Sequence, residues 1–230
     1  VNSFFDSLMA YIILVVFLGL SGFFTWLPNN SDIFFVGQAS LSVFFGIAFW
    51  TLFFFIPAIT MKMMAEEEKS GTLELLATKP ISDFQIIAGK WMAAWLLVVF
   101  SLALTLPYYV TVANLGNIDH GQVLSGYFAL LLISAAYTSI GIFASSLTSN
   151  QIVAFILSLF IAFFFQLLFG QIAPVLPDTL SSIANYLSMN QHYQTLSRGI
   201  IGISNVVYLL SLTALGFVMA TVTLKRRSWA

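Results

Sequence analysis

The ionisable side chains of this sequence are concentrated in one charged segment, residues 61–80. Four of the nine acidic residues and three of the basic ones fall within it: Glu66, Glu67, Glu68, Glu74, Lys62, Lys69 and Lys79. Almost all the sequence on either side is apolar enough to sit in lipid. A segment this rich in charge must therefore lie in water, where its carboxylates and ammonium groups can contact another polar surface.

The residue patterns of common catalytic and metal sites are missing. The sequence has no G-x-x-x-x-G-K-[ST] phosphate loop, no H-E-x-x-H zinc motif and no G-x-S-x-G nucleophile motif. No Lys or Asp lies in the middle of an apolar stretch, which makes an ion channel or proton-coupled transporter a weak alternative. We therefore predict no enzymatic activity, metal or cofactor in this chain. Its two histidines, His120 and His192, are far apart, and His192 is predicted to be a polar surface residue.

Local signals divide the charged segment into two short helices. Residues 61–69 can continue the preceding apolar helix into water, with Glu66 and Lys69 spaced as a weak supporting pair. Ser70-Gly71 is predicted to break that helix. Good helix formers resume over residues 72–77, and Pro80 stops them because the residue before a proline is pushed out of helical geometry.

The second short helix carries more apolar side chains than its own chain can cover. Leu73, Leu75 and Leu76 are the apolar members, while Thr72 and Glu74 remain available to a polar partner. Two interpretations stay open on spacing alone. The segment is either a docking surface or a simple connector between two membrane helices.

Composition establishes the broad class. The chain is 60% hydrophobic and only 7% charged, with 24 Phe among its 230 residues, whereas ordinary soluble domains carry about 25% charged residues. We conclude that it is an integral membrane protein in contact with lipid. The net charge of −1 argues against a nucleic-acid partner. The absence of cysteine excludes disulfides and thiolate metal sites.

The apolar stretches predict an all-α fold with six transmembrane helices in one domain over residues 1–230. A bilayer core requires about 20 apolar residues per helix. The predicted spans cover residues 8–27, 39–60, 84–110, 123–147, 152–169 and 206–224. Ser82 and Gln85 form a capping-box signal at the start of the third span. Pro57 and Pro107 mark expected kinks.

Three further features concern packing. Gly19 and Gly22 leave a shallow patch in the first span, which makes them dimer-seam candidates, although the patch could equally serve packing within the chain. Gln166 in the fifth span is predicted to bond a neighbouring helix. Residues 171–204, interrupted by Pro174 and Pro177, are predicted to form short helices at the outer face, including an amphipathic one over residues 178–187.

Basic residues predict the orientation. With six spans, seven of the eight basic residues fall on one side and only Arg198 on the other. The positive-inside rule assigns the richer side to the cytoplasm. Both termini and the charged segment are then predicted to be cytoplasmic.

The charged segment also carries a resemblance to a known family. The run from Glu67 to Leu76, EEKSGTLELL, followed by Lys79-Pro80-Ile81-Ser82, resembles the E-E-x-x-G-T-x-E/D-x-L-L-x-x-P-I coupling pattern of type-2 ABC exporter permeases. Within that family the sequence is most similar to gliding-motility-associated permease subunits, and the similarity extends to residues 189–193 and 196–199.

The resemblance implies a function. It implies a bacterial inner-membrane permease whose residues 66–76 dock on a separate ABC ATPase. The residues that this implies for ATPase coupling are Glu66, Glu67, Glu68, Lys69, Ser70, Gly71, Thr72, Leu73, Glu74, Leu75 and Leu76. Two ATPase copies would bind the ATP and Mg²⁺, and a second permease chain would complete the transport path. The alternative is a membrane scaffold subunit of a motility or secretion complex that transports nothing.

Overall fold

The computed structural model describes residues 8–27, 39–72 and 82–227, and all regular elements in these ranges are helices. In chain order the helices are α1 Leu8–Trp26, α2 Ser42–Lys69, α3 Asp83–Ala103, α4 Leu106–Leu115, α5 His120–Ser146, α6 Gln151–Phe163, α7 Phe169–Ile172, α8 Asp178–Leu187, α9 Met189–Ser197 and α10 Ile203–Arg227. A π-helical turn, Phe164–Leu168, joins α6 to α7, and a 3-10 turn, Ala173–Val175, follows α7. The predicted all-α class is confirmed.

Five helical stretches in the described ranges are long and apolar enough to cross a membrane. They are Ser42–Lys69, Asp83–Leu115, His120–Ser146, Gln151–Val175 and Ile203–Arg226. In α1 the apolar stretch Tyr11–Trp26 is shorter than the other five. Five of the predicted spans therefore have a matching helix of membrane-crossing length, and the count of six stays a prediction.

Helix α5 lies at the centre of the bundle. In its most apolar stretch 78% of the residues are buried, against 22% in the stretch that contains α6. It contacts α2, α3, α6, α9 and α10. Every other long helix except α1 thus packs extensively on α5, which makes α5 the element that positions the rest.

Small residues allow the helices to approach α5 closely. A Cβ added at Gly126 would collide with the ring of Phe45, and one added at Gly141 would collide with Thr60. On the other side, a Cβ at Gly216 of α10 would lie 2.9 Å from that of Ser139. Close approach matters in a membrane protein because helix association depends on packing and interhelical hydrogen bonds more than on the hydrophobic effect.

Helix ends follow the local sequence signals. The predicted capping box is present: Ser82 Oγ accepts from the Gln85 N–H at 3.3 Å, and Gln85 Oε1 accepts from the Ser82 N–H at 3.1 Å. The third predicted span is interrupted before Pro107, where α3 ends and α4 begins. Pro57, by contrast, lies inside α2, which continues without a break to Lys69.

The bundle has two chemically different ends. Helices α2 and α5 run parallel, since Phe45 contacts Gly126 near their starts and Thr60 contacts Gly141 near their ends. Phe84 of α3 and Phe217 of α10 meet with ring centroids 5.0 Å apart. We call the end that contains the last turns of α2, α5 and α10 and the start of α3 the charged end.

The opposite end contains the starts of α2 and α5 together with α8 and α9. Helix α8 spans Asp178–Leu187, as predicted for the amphipathic helix, and α9 follows after Ser188. Burial raises the pKa of Tyr193, so its hydroxyl stays protonated and donates to the Phe45 carbonyl of α2 at 2.8 Å. The prediction of short helices in residues 171–204 is confirmed.

Candidate functional site

The described part of the charged segment is the last turns of α2 and the bend that follows. Helix α2 ends at Lys69, and the Ser70 N–H donates to the Glu66 carbonyl at 3.0 Å. Gly71 has a φ of +70°, which favours glycine because a side chain there would be strained. The predicted break at Ser70-Gly71 is confirmed.

The hydroxyls of the bend reinforce its geometry. Ser70 Oγ donates to the Glu66 carbonyl at 2.8 Å and lies 2.9 Å from Thr72 Oγ1. Thr72 Oγ1 in turn donates to the Glu67 carbonyl at 3.2 Å. These bonds satisfy carbonyls that the end of an α-helix leaves without partners. The direction in which the chain leaves α2 is therefore fixed locally.

A lysine from α3 connects this segment to the bundle. Lys90 Nζ lies 2.5 Å from Glu67 Oε1 and donates to the Met63 carbonyl, also at 2.5 Å. The Lys90 and Glu67 side chains are only 15% and 31% exposed, so water screens this pair less than a surface salt bridge. The spacing of Glu66 and Lys69 predicts a weak pair between these two exposed side chains, whereas the ion pair of Glu67 is with Lys90 of α3.

A serine from α5 makes a second connection. Ser145 Oγ donates to the Met61 carbonyl at 2.8 Å and accepts from the Met64 and Ala65 N–H groups, both at 3.1 Å. This hydroxyl thus contacts three backbone groups in the last turns of α2, which continues as an α-helix through them. The last turns of α2 are thus joined to α3 by charge and to α5 by hydrogen bonds.

The predicted docking residues differ in exposure. Glu66, Lys69, Ser70, Gly71 and Thr72 are exposed, whereas Glu67 and Glu68 are half-buried. Glu67 forms an ion pair with Lys90 of α3 within this chain. Among the described acidic residues of the segment, Glu66 is the exposed one. The apolar anchors Leu73, Leu75 and Leu76 and the acid Glu74 lie outside the described residues, as does most of the predicted short helix over residues 72–77.

The two dimer-seam candidates face different surroundings. A Cβ at Gly22 would lie 2.7 Å from the Tyr108 hydroxyl, so Gly22 accommodates packing within the chain. Gly19 has nothing within 4 Å of that position and is exposed. Of the pair, Gly19 is the one that leaves open space beside α1.

Polar side chains at the opposite end are buried and hydrogen-bonded. The prediction that His192 is a surface residue was wrong, because its side chain is 5% exposed. Its Nδ1 lies 2.7 Å from Asn205 Oδ1, its Nε2 donates to the Tyr186 carbonyl at 2.7 Å, and its ring stacks on Tyr208. Tyr186 and Asn205, which contact the imidazole, are 6 and 13 positions away from it in the sequence. Contacts at these separations are not predicted by helical spacing.

Gln166 forms the interhelical bond expected of it. It is fully buried in the π-helical turn, and its Oε1 accepts from the Tyr137 hydroxyl of α5. The π-helical turn itself was not predicted from the sequence. Among the described residues, no group of three or more His, Asp or Glu side chains could hold a metal ion.

Comparison with known proteins agrees with this arrangement. The sequence model of the ABC-2 family transporter protein matches residues 7–229, nearly the whole chain. No curated protein sequence shows a significant match. The family match covers the apolar helices, the charged segment and the helices of the opposite end together. The chain therefore belongs to the ABC-2 family of transporter membrane proteins and is a permease subunit of an ABC transporter.

Proposed function

We propose that this chain is the permease of a bacterial exporter and that a separate ATPase drives it through the charged segment. The observation that carries the proposal is the double connection of α2 to α3 through Lys90 and to α5 through Ser145. A push on residues 66–76 would move three helices together, one of them the central α5. A simple connector would not require these connections.

The exposed residues of the bend provide the polar part of the docking surface. Glu66 and Lys69 are exposed in the last turn of α2, and Gly71 adopts a positive φ just after it. Leu73, Leu75 and Leu76 supply the apolar part. Two ATPase copies and a second permease chain complete the assembly, and its role is transport or force transmission in gliding motility.

The direct test compares two variants in ATPase co-purification. Leu75→Asp with Leu76→Asp should cost several kcal/mol of association, because burying one leucine contributes about 1.5–3 kcal/mol and the new charges must enter the contact. Glu66→Lys should cost about 0.2–1 kcal/mol, and this effect should shrink at high salt. The readout is ATP hydrolysis recovered with the tagged permease from native membranes.

Ser182→Ala, an exposed position on α8, is the control for membrane insertion and yield. If the leucine variant inserts normally and retains the ATP hydrolysis of the unmodified chain, the charged segment is only a connector. The scaffold alternative then replaces the exporter. Among the acids, Glu66 is preferred for charge reversal because reversing Glu67 would also disturb Lys90.

The proposed orientation has the charged end in the cytoplasm. Lys62, Lys69, Lys90, Lys225 and Arg226 all lie on elements of the charged end, whereas Arg198 follows α9 at the opposite end. The chain has no cysteine, so single cysteines report position directly. An impermeant thiol reagent outside intact cells should label Ser182→Cys and spare Lys69→Cys. The reverse pattern would invert the orientation.

A further inference from the structure

We propose that the cavity between the π-helical turn and α9 binds a small neutral polyhydroxylated ligand, such as a sugar residue or another polyol. This cavity, called here the amide cavity, has a volume of about 180 Å³. Six of its lining residues are polar and uncharged: Gln166, Gln171, Ser188, Asn190, Gln191 and Gln194. It lies at the opposite end of the bundle from the charged segment, so the inference does not depend on ATPase coupling.

Gln166 places a buried donor at the base of the amide cavity. Its side chain is fully buried, and Tyr137 occupies its Oε1. Its Nε2, which carries two N–H donors, is buried without a hydrogen-bond partner. A buried donor without a partner is unfavourable, because it has lost its bonds to water and gained none. The π-helical turn that sets this amide against the cavity is a feature often found at functional sites.

Ser188 places a second unsatisfied group beside the first. It is fully buried at the N-terminus of α9, yet its side chain makes no capping hydrogen bond, and its Oγ has no partner. A serine at this position normally caps the helix. Gly170 lies against this hydroxyl, since an added Cβ there would be 3.1 Å from Ser188 Oγ. Ser188 thus adds a second buried polar group without a partner to the lining of the amide cavity.

The remaining lining residues indicate the class of ligand. Gln171, Gln191 and Gln194 are exposed and Asn190 is half-buried, so amides surround the opening. Each amide both donates and accepts, as does each hydroxyl of a polyol. None of the described residues that line this cavity is charged, and a charged ligand would find no counter-charge among them to offset its lost hydration. A neutral ligand rich in hydroxyls fits this lining best.

A neighbouring cavity extends the site. It has a volume of about 270 Å³ and shares Asn190 and Gln194 with the amide cavity. Its wall includes Phe49, Trp50 and Tyr193, and Arg198 is also part of the lining. Ligand sites commonly combine apolar and aromatic walls with a few placed polar groups. A ligand longer than one sugar residue would continue from the amides onto these aromatic side chains.

The test measures binding of sucrose to the full chain in lipid nanodiscs by ligand-observed saturation-transfer NMR. Nanodiscs avoid detergents with sugar headgroups, which would compete. Sucrose should bind saturably, and acetate and phosphate should bind more weakly. Ser188→Ala should weaken sucrose binding about fivefold and Gln166→Leu at least tenfold, because each removes a hydrogen bond that the ligand alone completes.

Ser158→Ala is the matched control. Ser158 of α6 is also buried with an unpartnered hydroxyl, but it lines neither cavity. Removing either serine hydroxyl should leave thermal stability unchanged or higher, so Ser188→Ala remains informative even if Gln166→Leu unfolds. Equal sucrose binding by the two serine variants, or no binding at all, would mean that the cavity holds only water and would overturn the proposal. Tighter binding of acetate or phosphate than of sucrose would overturn the ligand class.

Discussion

The helices are joined by different kinds of interaction at the two ends of the bundle. At the charged end an ion pair between Lys90 and Glu67 and the hydroxyl of Ser145 connect α2 to its neighbours. At the opposite end polar side chains make the connections: His192 lies 2.7 Å from the side-chain amide of Asn205 and donates to the Tyr186 carbonyl. Both ends bury side-chain atoms without a hydrogen-bond partner: Glu67 Oε2 at the charged end, and Gln166 Nε2 and Ser188 Oγ at the opposite end.

The difference indicates a division of labour. An ion pair that is partly shielded from water resists separation of its two helices, because breaking it leaves a poorly hydrated charge. Neutral amides and hydroxyls can exchange one partner for another at lower cost. We therefore expect the charged end to transmit displacement as a unit, and the opposite end to accept a ligand without rearranging its helices.

The largest expected effect is at the ion pair. Lys90→Met should lower the free energy of unfolding by about 2–4 kcal/mol, because Glu67 keeps its charge in a half-buried position. Lys69→Met, at an exposed site on α2, should change it by less than about 0.5 kcal/mol. Equilibrium unfolding in mixed micelles measures both. The double variant Lys90→Met with Glu67→Gln should recover most of the lost free energy of unfolding. If it does not, the loss in Lys90→Met does not come from the unpaired charge of Glu67.

A smaller effect is expected for the buried imidazole. His192→Phe preserves the stacking on Tyr208 but leaves the Asn205 side-chain amide and the Tyr186 carbonyl without this partner, which should cost about 1–3 kcal/mol. His120→Phe is the control, since that ring is exposed and bonds the Tyr109 hydroxyl in contact with water. It should cost less than about 0.5 kcal/mol. Equal losses in the same unfolding measurement would show that burial of His192 contributes nothing.

The smallest effect is expected at the Ser145 hydroxyl. Ser145→Ala removes three hydrogen bonds, but the Met64 and Ala65 N–H groups lie within α2, where the carbonyls four residues earlier can accept from them. The net loss should be about 1 kcal/mol. Ser146→Ala, whose buried hydroxyl bonds only the Phe143 carbonyl of its own helix, should be nearly neutral. A neutral Ser145→Ala variant would remove one of the two connections on which the proposed coupling depends.

Much of the fold was predictable because the signals are local. Apolar stretches of membrane-crossing length, the capping box of Ser82 and the break at Gly71 depend on residues a few positions apart. The boundaries of α8 followed from Pro177 and the amphipathic pattern after it. The π-helical turn was not predicted, since the apolar run around Gln166 contains neither proline nor an interior glycine to mark a change of helix type.

The contacts that connect the candidate site to α3 and α5 were not predictable, because they join residues that are far apart in the sequence. Lys90 of α3 contacts Glu67 and Met63 of α2, and Met63 is 27 residues away in the sequence. Ser145 contacts α2 residues that are 80 or more positions away. Such contacts depend on how α5 packs, and packing is fixed by small residues such as Gly141 whose partners no spacing rule identifies. The burial of His192 follows from the same kind of distant contact.

Pro57 gives α2 a mechanical property of its own. The helix is fastened near its start by Tyr193 and near its end by Ser145 and Lys90, and Pro57 lies between these points without an N–H for the Phe53 carbonyl. At 1.5 Å per residue, the helix therefore has two regular segments of about 20 Å each, with one missing backbone hydrogen bond between them at Pro57. Bending stress applied at Lys69 passes first to α5 and α3 through Ser145 and Lys90. Beyond those contacts the missing hydrogen bond at Pro57 makes α2 easier to bend, which limits how much of the stress reaches the walls of the cavities around α9.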